Sequence, residues 1–185
     1  MSKGILTSPV GTEDHAQGPE NAPVTLVEYG DYECPHCARA HPIVQEIQRH
    51  LGDTVRFIFR NFPLREAHPH AEHAAEAAES VAVHEGEDAF WEMHDLMFEN
   101  QEALEDSALV AYGGSLGVDE TALADDLVSG AMANRVNTDF RSGIRSGVNG
   151  TPTFFVNGQR YDDDWGDPAI FAANLRSLAR APARR

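Results

Sequence analysis

One segment limits what this chain can fold into more than any other. The apolar, β-branched run Val24-Thr25-Leu26-Val27-Glu28-Tyr29 breaks at Gly30-Asp31 and is followed almost at once by Cys34-Pro35-His36-Cys37. A six-residue run of that composition, bounded by turn residues, reads as a buried strand. Beyond it Cys37, Ala40, Val44, Ile47 and Leu51 recur at steps of three and four, which is one face of a helix that Gly52 ends. Cys34 therefore stands at or just before a helix N-terminus. These are the only two cysteines, and a disulfide between them would close too small a loop to staple a fold. Their presence points to chemistry.

The remaining elements follow from pattern. Residues Thr54–Arg60 alternate Val55, Phe57 and Phe59 against Arg56, Ile58 and Arg60, a second strand that Pro63 stops. Strand, helix and strand in that order imply a right-handed parallel crossover. A helical block then runs to Gly147, with an Ala-rich stretch to His84 and an aromatic stripe of Phe90, Trp91, Met93, Met97 and Phe98 that reads as core. Thr153-Phe154-Phe155-Val156 resumes the sheet, and Asn157-Gly158 turns it back through Gln159-Arg160-Tyr161 as a hairpin. Asp167-Pro168 reads as cap and first residue of a last helix whose apolar face is Phe171, Leu175 and Leu178. The first twenty-three residues are a lead-in with one short strand near Ile5 and Leu6. The order is β-α-β, helical block, β-β-α: a single α/β domain of thioredoxin-like fold over residues 1–185, with a helical insertion at about 66–147 between its halves.

A thiol attacks only as thiolate, and a helix N-terminus favours the anion through unpaired N–H groups and the positive end of its dipole. Cys34 is placed to receive both and is the candidate nucleophile. Cys37, one turn on and facing the core, is the resolving thiol that attacks a mixed disulfide on Cys34. A cationic His36 would lower the Cys34 pKa further, whereas Asp31 and Glu33 oppose it. A competing reading makes Cys34 and Cys37 half of a zinc site, with His36, His41 or another subunit completing the four ligands, but a zinc ribbon needs a second pair that the chain lacks. His68, His70 and His73 with Glu72 and Glu76 invite a second metal reading, against which a solvated acidic face is preferred.

The run Glu28-Tyr29-Gly30-Asp31-Tyr32-Glu33-Cys34-Pro35-His36-Cys37, the segment Trp91–Gln101 and the run Gly150-Thr151-Pro152-Thr153-Phe154-Phe155-Val156-Asn157-Gly158 together resemble the DsbA-like thiol-disulfide oxidoreductases of the thioredoxin superfamily. The resemblance covers nearly the whole chain. It implies disulfide exchange with protein or peptide substrates, and a redox partner that recycles the enzyme. It also implies a cis Thr151-Pro152 bond facing the cysteines, with Thr151 offering its backbone to an extended substrate as an added strand. Pro42 would be a kink inside the first helix, and Glu28 a buried acid that exchanges protons with Cys37. Pro35 and His36 are the intervening pair of the active site. No cofactor and no resident metal are implied. The alternative function is a noncatalytic redox-sensing or metal-binding module built on the same two thiols.

Charge narrows the partners. With 30 Asp and Glu against 14 Lys and Arg, a formal charge of -16 repels nucleic acid and anionic membrane surfaces. The N-terminus has too short an apolar stretch for a signal peptide, so the expected location is the cytoplasm, or outside it if the chain is the processed form of a longer one.

Overall fold

The computed structural model describes residues 4–180. Five strands, β1 (His15–Gln17), β2 (Val24–Gly30), β3 (Val55–Asn61), β4 (Thr153–Val156) and β5 (Gln159–Tyr161), form one mixed sheet in the order β1-β3-β2-β4-β5. Helix α1 (Pro35–Leu51) connects the parallel pair β2 and β3; all other pairings are antiparallel. Between β3 and β4 lie α2 (Ala71–Glu85), α3 (Glu87–Glu99), α4 (Asp106–Ser115), α5 (Glu120–Ser129) and α6 (Ala133–Arg145), and α7 (Pro168–Arg180) follows β5. This is a thioredoxin-like fold with a helical insertion, as the element order implied.

Local chemistry explains the boundaries. Gly52 ends α1 at φ 46, in the left-handed region that a side chain resists. Asn157 and Gly158, at φ 49 and 78, make the two-residue turn between β4 and β5. Asp167 caps α7 by accepting from the N–H groups of Ala169 and Ile170. Pro42 lies inside a helix that continues through it, because Pro at this position removes one N–H without removing the packing of Val44, Ile47 and Leu51 beneath.

Both faces of the sheet are covered, and strand parity sorts the side chains between them. Val24 and Leu26 of β2 with Phe57 and Phe59 of β3 pack in the larger core with Cys37, Ala40, Val44 and Ile47 of α1 and the α3 residues Phe90, Trp91, Met93, Met97 and Phe98. Val27, Tyr29, Ile58 and Phe155 fill a second core with Phe62 and Val148. Glu28 shares the parity of Leu26 and therefore faces α1.

Two expectations need correction. The lead-in strand is β1, at His15–Gln17; Ile5 makes only a single bridge to Gln159. Leu178 of α7 is exposed, while Phe171 and Leu175 are buried. Arg60, on the face of β3 opposite Phe57 and Phe59, is 3% exposed. The lead-in folds over that face, and Arg60 donates to Asp14 at 2.7 and 2.9 Å, to the carbonyls of Ser8 and Pro9, and to the Tyr29 hydroxyl. Sequence alternation had no access to this, because the covering segment carries no periodic signal.

A buried charge stripped of its partner is costly. Asp14→Ala leaves the Arg60 guanidinium unpaired, and equilibrium urea unfolding should show a loss of about 3–5 kcal/mol. A loss below about 1 kcal/mol would mean that the lead-in is not fastened by this pair.

Candidate functional site

Helix α1 has no side-chain cap. Its N-cap position is Cys34, with extended φ and ψ, Pro35 is the first helical residue, and no acid occupies the first turn. A helix start normally finds an oxygen acceptor at the cap for its orphaned N–H groups. Here no side chain takes that place, and the Cys34 sulfur stands beside the N–H groups of His36 and Cys37. The Cys34 pKa falls to about 5, chiefly through a hydrogen bond from the Cys37 thiol, aided by Thr151 and by the backbone N–H groups of Cys37 and His36, against the opposing effect of burial. Cys37 moves the other way: burial, followed by its bond to the Cys34 sulfur and the charge of Glu28, raises its thiol well above 9. Cys34 is 4% exposed and Cys37 is fully buried; neither is in a disulfide.

Glu28 is held in the sheet between Phe59 of β3 and Phe154 of β4, so it is not an edge carboxylate. Burial, and secondarily the Cys34 charge, pushes its pKa up to about 8, with no cation offsetting either. The Glu28 charge in turn raises the Cys37 pKa.

Across the cysteines, the Thr151-Pro152 peptide bond is cis, and the Cys34 thiol lies 3.5 Å from the Thr151 carbonyl oxygen. The Thr151 hydroxyl is buried without a hydrogen-bond partner around the neutral thiol. It is thus free to donate to the thiolate.

Pro35 and His36 are both exposed. The expected cationic influence of the His36 imidazole is replaced by that of its backbone N–H. The feared opposition of Asp31 and Glu33 is also muted, because their carboxylates are turned into the scaffold. Asp31 is buried, accepts from the N–H groups of Glu33 and Leu64, and lies 2.8 Å from Nδ1 of His68. Glu33 accepts from the N–H of His70. Burial lowers the His68 pKa, but the bond and charge of Asp31 prevail and raise it, with a further contribution from Cys34. His68 thus brings its imidazole toward the site from the insertion.

The triple-histidine metal reading fails as a cluster. His68 pairs with Asp31, His73 with Asp106, and Glu72 with Arg65. Glu76 is buried, which corrects the solvated-face reading at that residue. Sequence reasoning missed His68 as a neighbour of the thiols, and it missed Gln101, whose side-chain amide donates to the carbonyls of Tyr32 at 2.6 Å and Cys34 at 3.0 Å. Gln101 lay in a segment already singled out, but nothing local marks which carbonyls it reaches.

Residues 11–170 match the profile of the family described as "Thioredoxin". The chain belongs to the thioredoxin family. Within it, the fold is DsbA-like: oxidised BdbD from Bacillus subtilis superposes with a TM-score of 0.85 over 97% of this chain and all of that one, at 26% identity. The fold also matches alpha-DsbA1 of Wolbachia pipientis, at 19% identity and a TM-score of 0.77 over 94% of each chain. Among curated sequences, this thioredoxin-family chain is 42% identical over 99% of its length to "Na(+)/H(+) antiporter NhaA 3" of Salinispora tropica. It spans only 28% of that protein.

The shifted groups fix a pH dependence. The lowered Cys34 pKa contributes stability to the reduced form that is fully present above the unfolded value near 9 and is lost as pH falls through about 5. Glu28 has the opposite sign: its raised pKa contributes stability present below about 4.5 and lost as pH rises through about 8. Glu28→Gln should therefore stabilise the reduced protein most at alkaline pH and hardly at all at pH 4, read by thermal unfolding across that range. A stabilisation equal at both ends would show that the carboxyl is not titrating in the fold.

Proposed function

We propose that this chain is a thiol-disulfide oxidoreductase acting on protein or peptide substrates, with Cys34 as attacking and Cys37 as resolving thiol. The observation that carries the reading is the placement of Cys34 at the start of α1 against the cis Thr151-Pro152 loop with Cys37 buried a turn later, where their pKa values move in opposite directions. Two thiols with pKa values driven apart in this way divide the labour of exchange.

In the reducing direction, the Cys34 thiolate attacks a substrate disulfide, forms a mixed disulfide and expels one substrate thiolate. Cys37 then gives its proton to the Glu28 carboxylate and attacks the Cys34 sulfur. The Cys34–Cys37 disulfide forms, the second substrate sulfur leaves as thiolate, and two electrons have passed to the substrate. The oxidising direction is the same sequence reversed. Glu28, with a pKa of about 8, is a base matched to a thiol at neutral pH. The Thr151 backbone on the cis loop would hold an extended substrate against Cys34, with Pro35 and His36 forming the exposed rim of the site. The whole chain acts as one domain in this reading.

A dithiol or disulfide partner must recycle the pair, and compartment sets the direction: reduced glutathione in a cytoplasm favours reductase work, and an oxidising space favours disulfide formation. No described helix is long and apolar enough to cross a membrane. Antiport, printed in the names of relatives that extend far beyond this chain, is not part of the reading.

Turnover with a disulfide-containing unfolded protein, coupled to glutathione, tests the proposal. Cys34→Ser should abolish both steps, while Cys37→Ser should accumulate the mixed disulfide. A protein whose thiols oxidise and reduce stoichiometrically without turnover is instead the noncatalytic module.

Thr151→Val removes only the hydroxyl donor. The alkylation midpoint of Cys34 should then move up from about 5 by about one to two pH units, the worth of a hydrogen bond to a charged group. An unchanged midpoint would remove Thr151 from the set that stabilises the thiolate.

A further inference from the structure

Away from the thiols, an open cleft of about 740 Å³ runs between the end of β1, helix α1 and helix α3. On its wall, one nitrogen each of His41 and His94 and one carboxylate oxygen of Asp95 all lie within 4.8 Å of one another. Both histidines are buried, and Asp95 is about half exposed at the cleft mouth. No part of the proposed exchange reaction uses them.

The hydrogen bonding around these rings is incomplete in a specific way. Nδ1 of His94 lies 3.1 Å from the Tyr32 hydroxyl, which leaves Nε2 as its other polar atom, with no hydrogen bond to a described residue. The rest of the ring is enclosed by Phe59, Trp91 and Phe98, edge to face. The Gln45 amide nitrogen lies 3.1 Å from Nε2 of His41 and donates to Oδ1 of Asp95 at 3.4 Å, and those two atoms lie 3.3 Å apart. Two lone pairs facing one another at that distance are what a cation bridges, with the Gln45 amide rotating to present its oxygen in place of its nitrogen.

We propose that His41, His94 and Asp95 form a binding site for a divalent first-row transition ion of the zinc class, pinning α1 to α3. Two imidazoles and one carboxylate are a donor set such ions accept, and the 3.3 Å between His41 Nε2 and Asp95 Oδ1 suits neighbouring corners of a tetrahedral shell. The cleft leaves the fourth position to water or to the Gln45 side-chain oxygen. Tyr32, accepting from Nδ1–H of His94, supplies the outer hydrogen bond that fixes a ligating ring. The site sits behind the thiols: His41 follows Cys37 by one helical turn, and Tyr32 precedes Cys34 by two residues. The ion therefore braces the start of α1. Sequence spacing could not show this, because the two histidines lie on separate helices.

The test uses the oxidised protein, in which the Cys34–Cys37 disulfide withdraws both thiols from competition. Titration with zinc by calorimetry should show one site per chain, and cobalt should give visible ligand-field bands without a thiolate charge-transfer band. Asp95→Ala, a change at the cleft mouth, should weaken zinc binding at least about tenfold. His41→Phe, which keeps the ring stacked on Phe98, should do the same. Circular dichroism of both metal-free variants should match the parent. Zinc bound only when the cysteines are reduced, or bound to several weak sites that neither substitution alters, would overturn the proposal, as would no binding at all. None of these outcomes depends on whether the protein turns over disulfides.

Discussion

The candidate site is organised around the start of α1, whose first N–H groups have no oxygen acceptor at the cap. Helix geometry orphans them, Pro35 removes one and fixes the turn, and no serine, threonine or acid stands at the cap to receive the others. The sulfur of Cys34 is left to answer, and it answers better as an anion. The low pKa of Cys34 comes chiefly from the hydrogen bond of the Cys37 thiol, with Thr151 and the N–H groups at the helix start adding to it. Cys37 completes the asymmetry, since the same helix that exposes its N-terminus to Cys34 drives the next turn into the core.

The helical insertion holds this arrangement from above. Gln101 fastens the carbonyls of Tyr32 and Cys34, His68 takes the Asp31 carboxylate, and the His70 N–H takes that of Glu33. Two acids adjoining a thiolate would ordinarily raise its pKa, but here both point into hydrogen bonds from the insertion. Beneath the loop, Gly30 lies where a β-carbon would strike the Phe59 ring, so the chain leaves β2 in close contact with the sheet. The site is positioned by contacts from both halves of the fold and from the block between them.

Much of this was legible in the residues themselves. The strand before the cysteines, the apolar face of α1, the Asn157-Gly158 hairpin and the Asp167 cap each rest on neighbours a few positions apart, which is the range over which periodicity and turn chemistry act. Glu28 illustrates the limit. Its place on β2 was readable, but its burial depended on whether β2 lay inside the sheet or at its edge, and only β4, more than a hundred residues away, settles that. Arg60 shows the same limit from the other side: strand alternation set it opposite Phe57 and Phe59 but could not say what covers that face, and an aperiodic lead-in buries it against Asp14.

Local sequence alone determined the order of elements, the position of Cys34 at a helix start and the inward direction of Cys37, because each follows from backbone geometry and the spacing of apolar side chains. Tertiary structure alone decided which charges the thiols feel. The turning aside of Asp31 and Glu33, the approach of His68, the free hydroxyl of Thr151 and the meeting of His41 with His94 all join residues remote in sequence. Electrostatic influence falls with distance through space and is governed by burial, and neither quantity is written along the chain until it has folded.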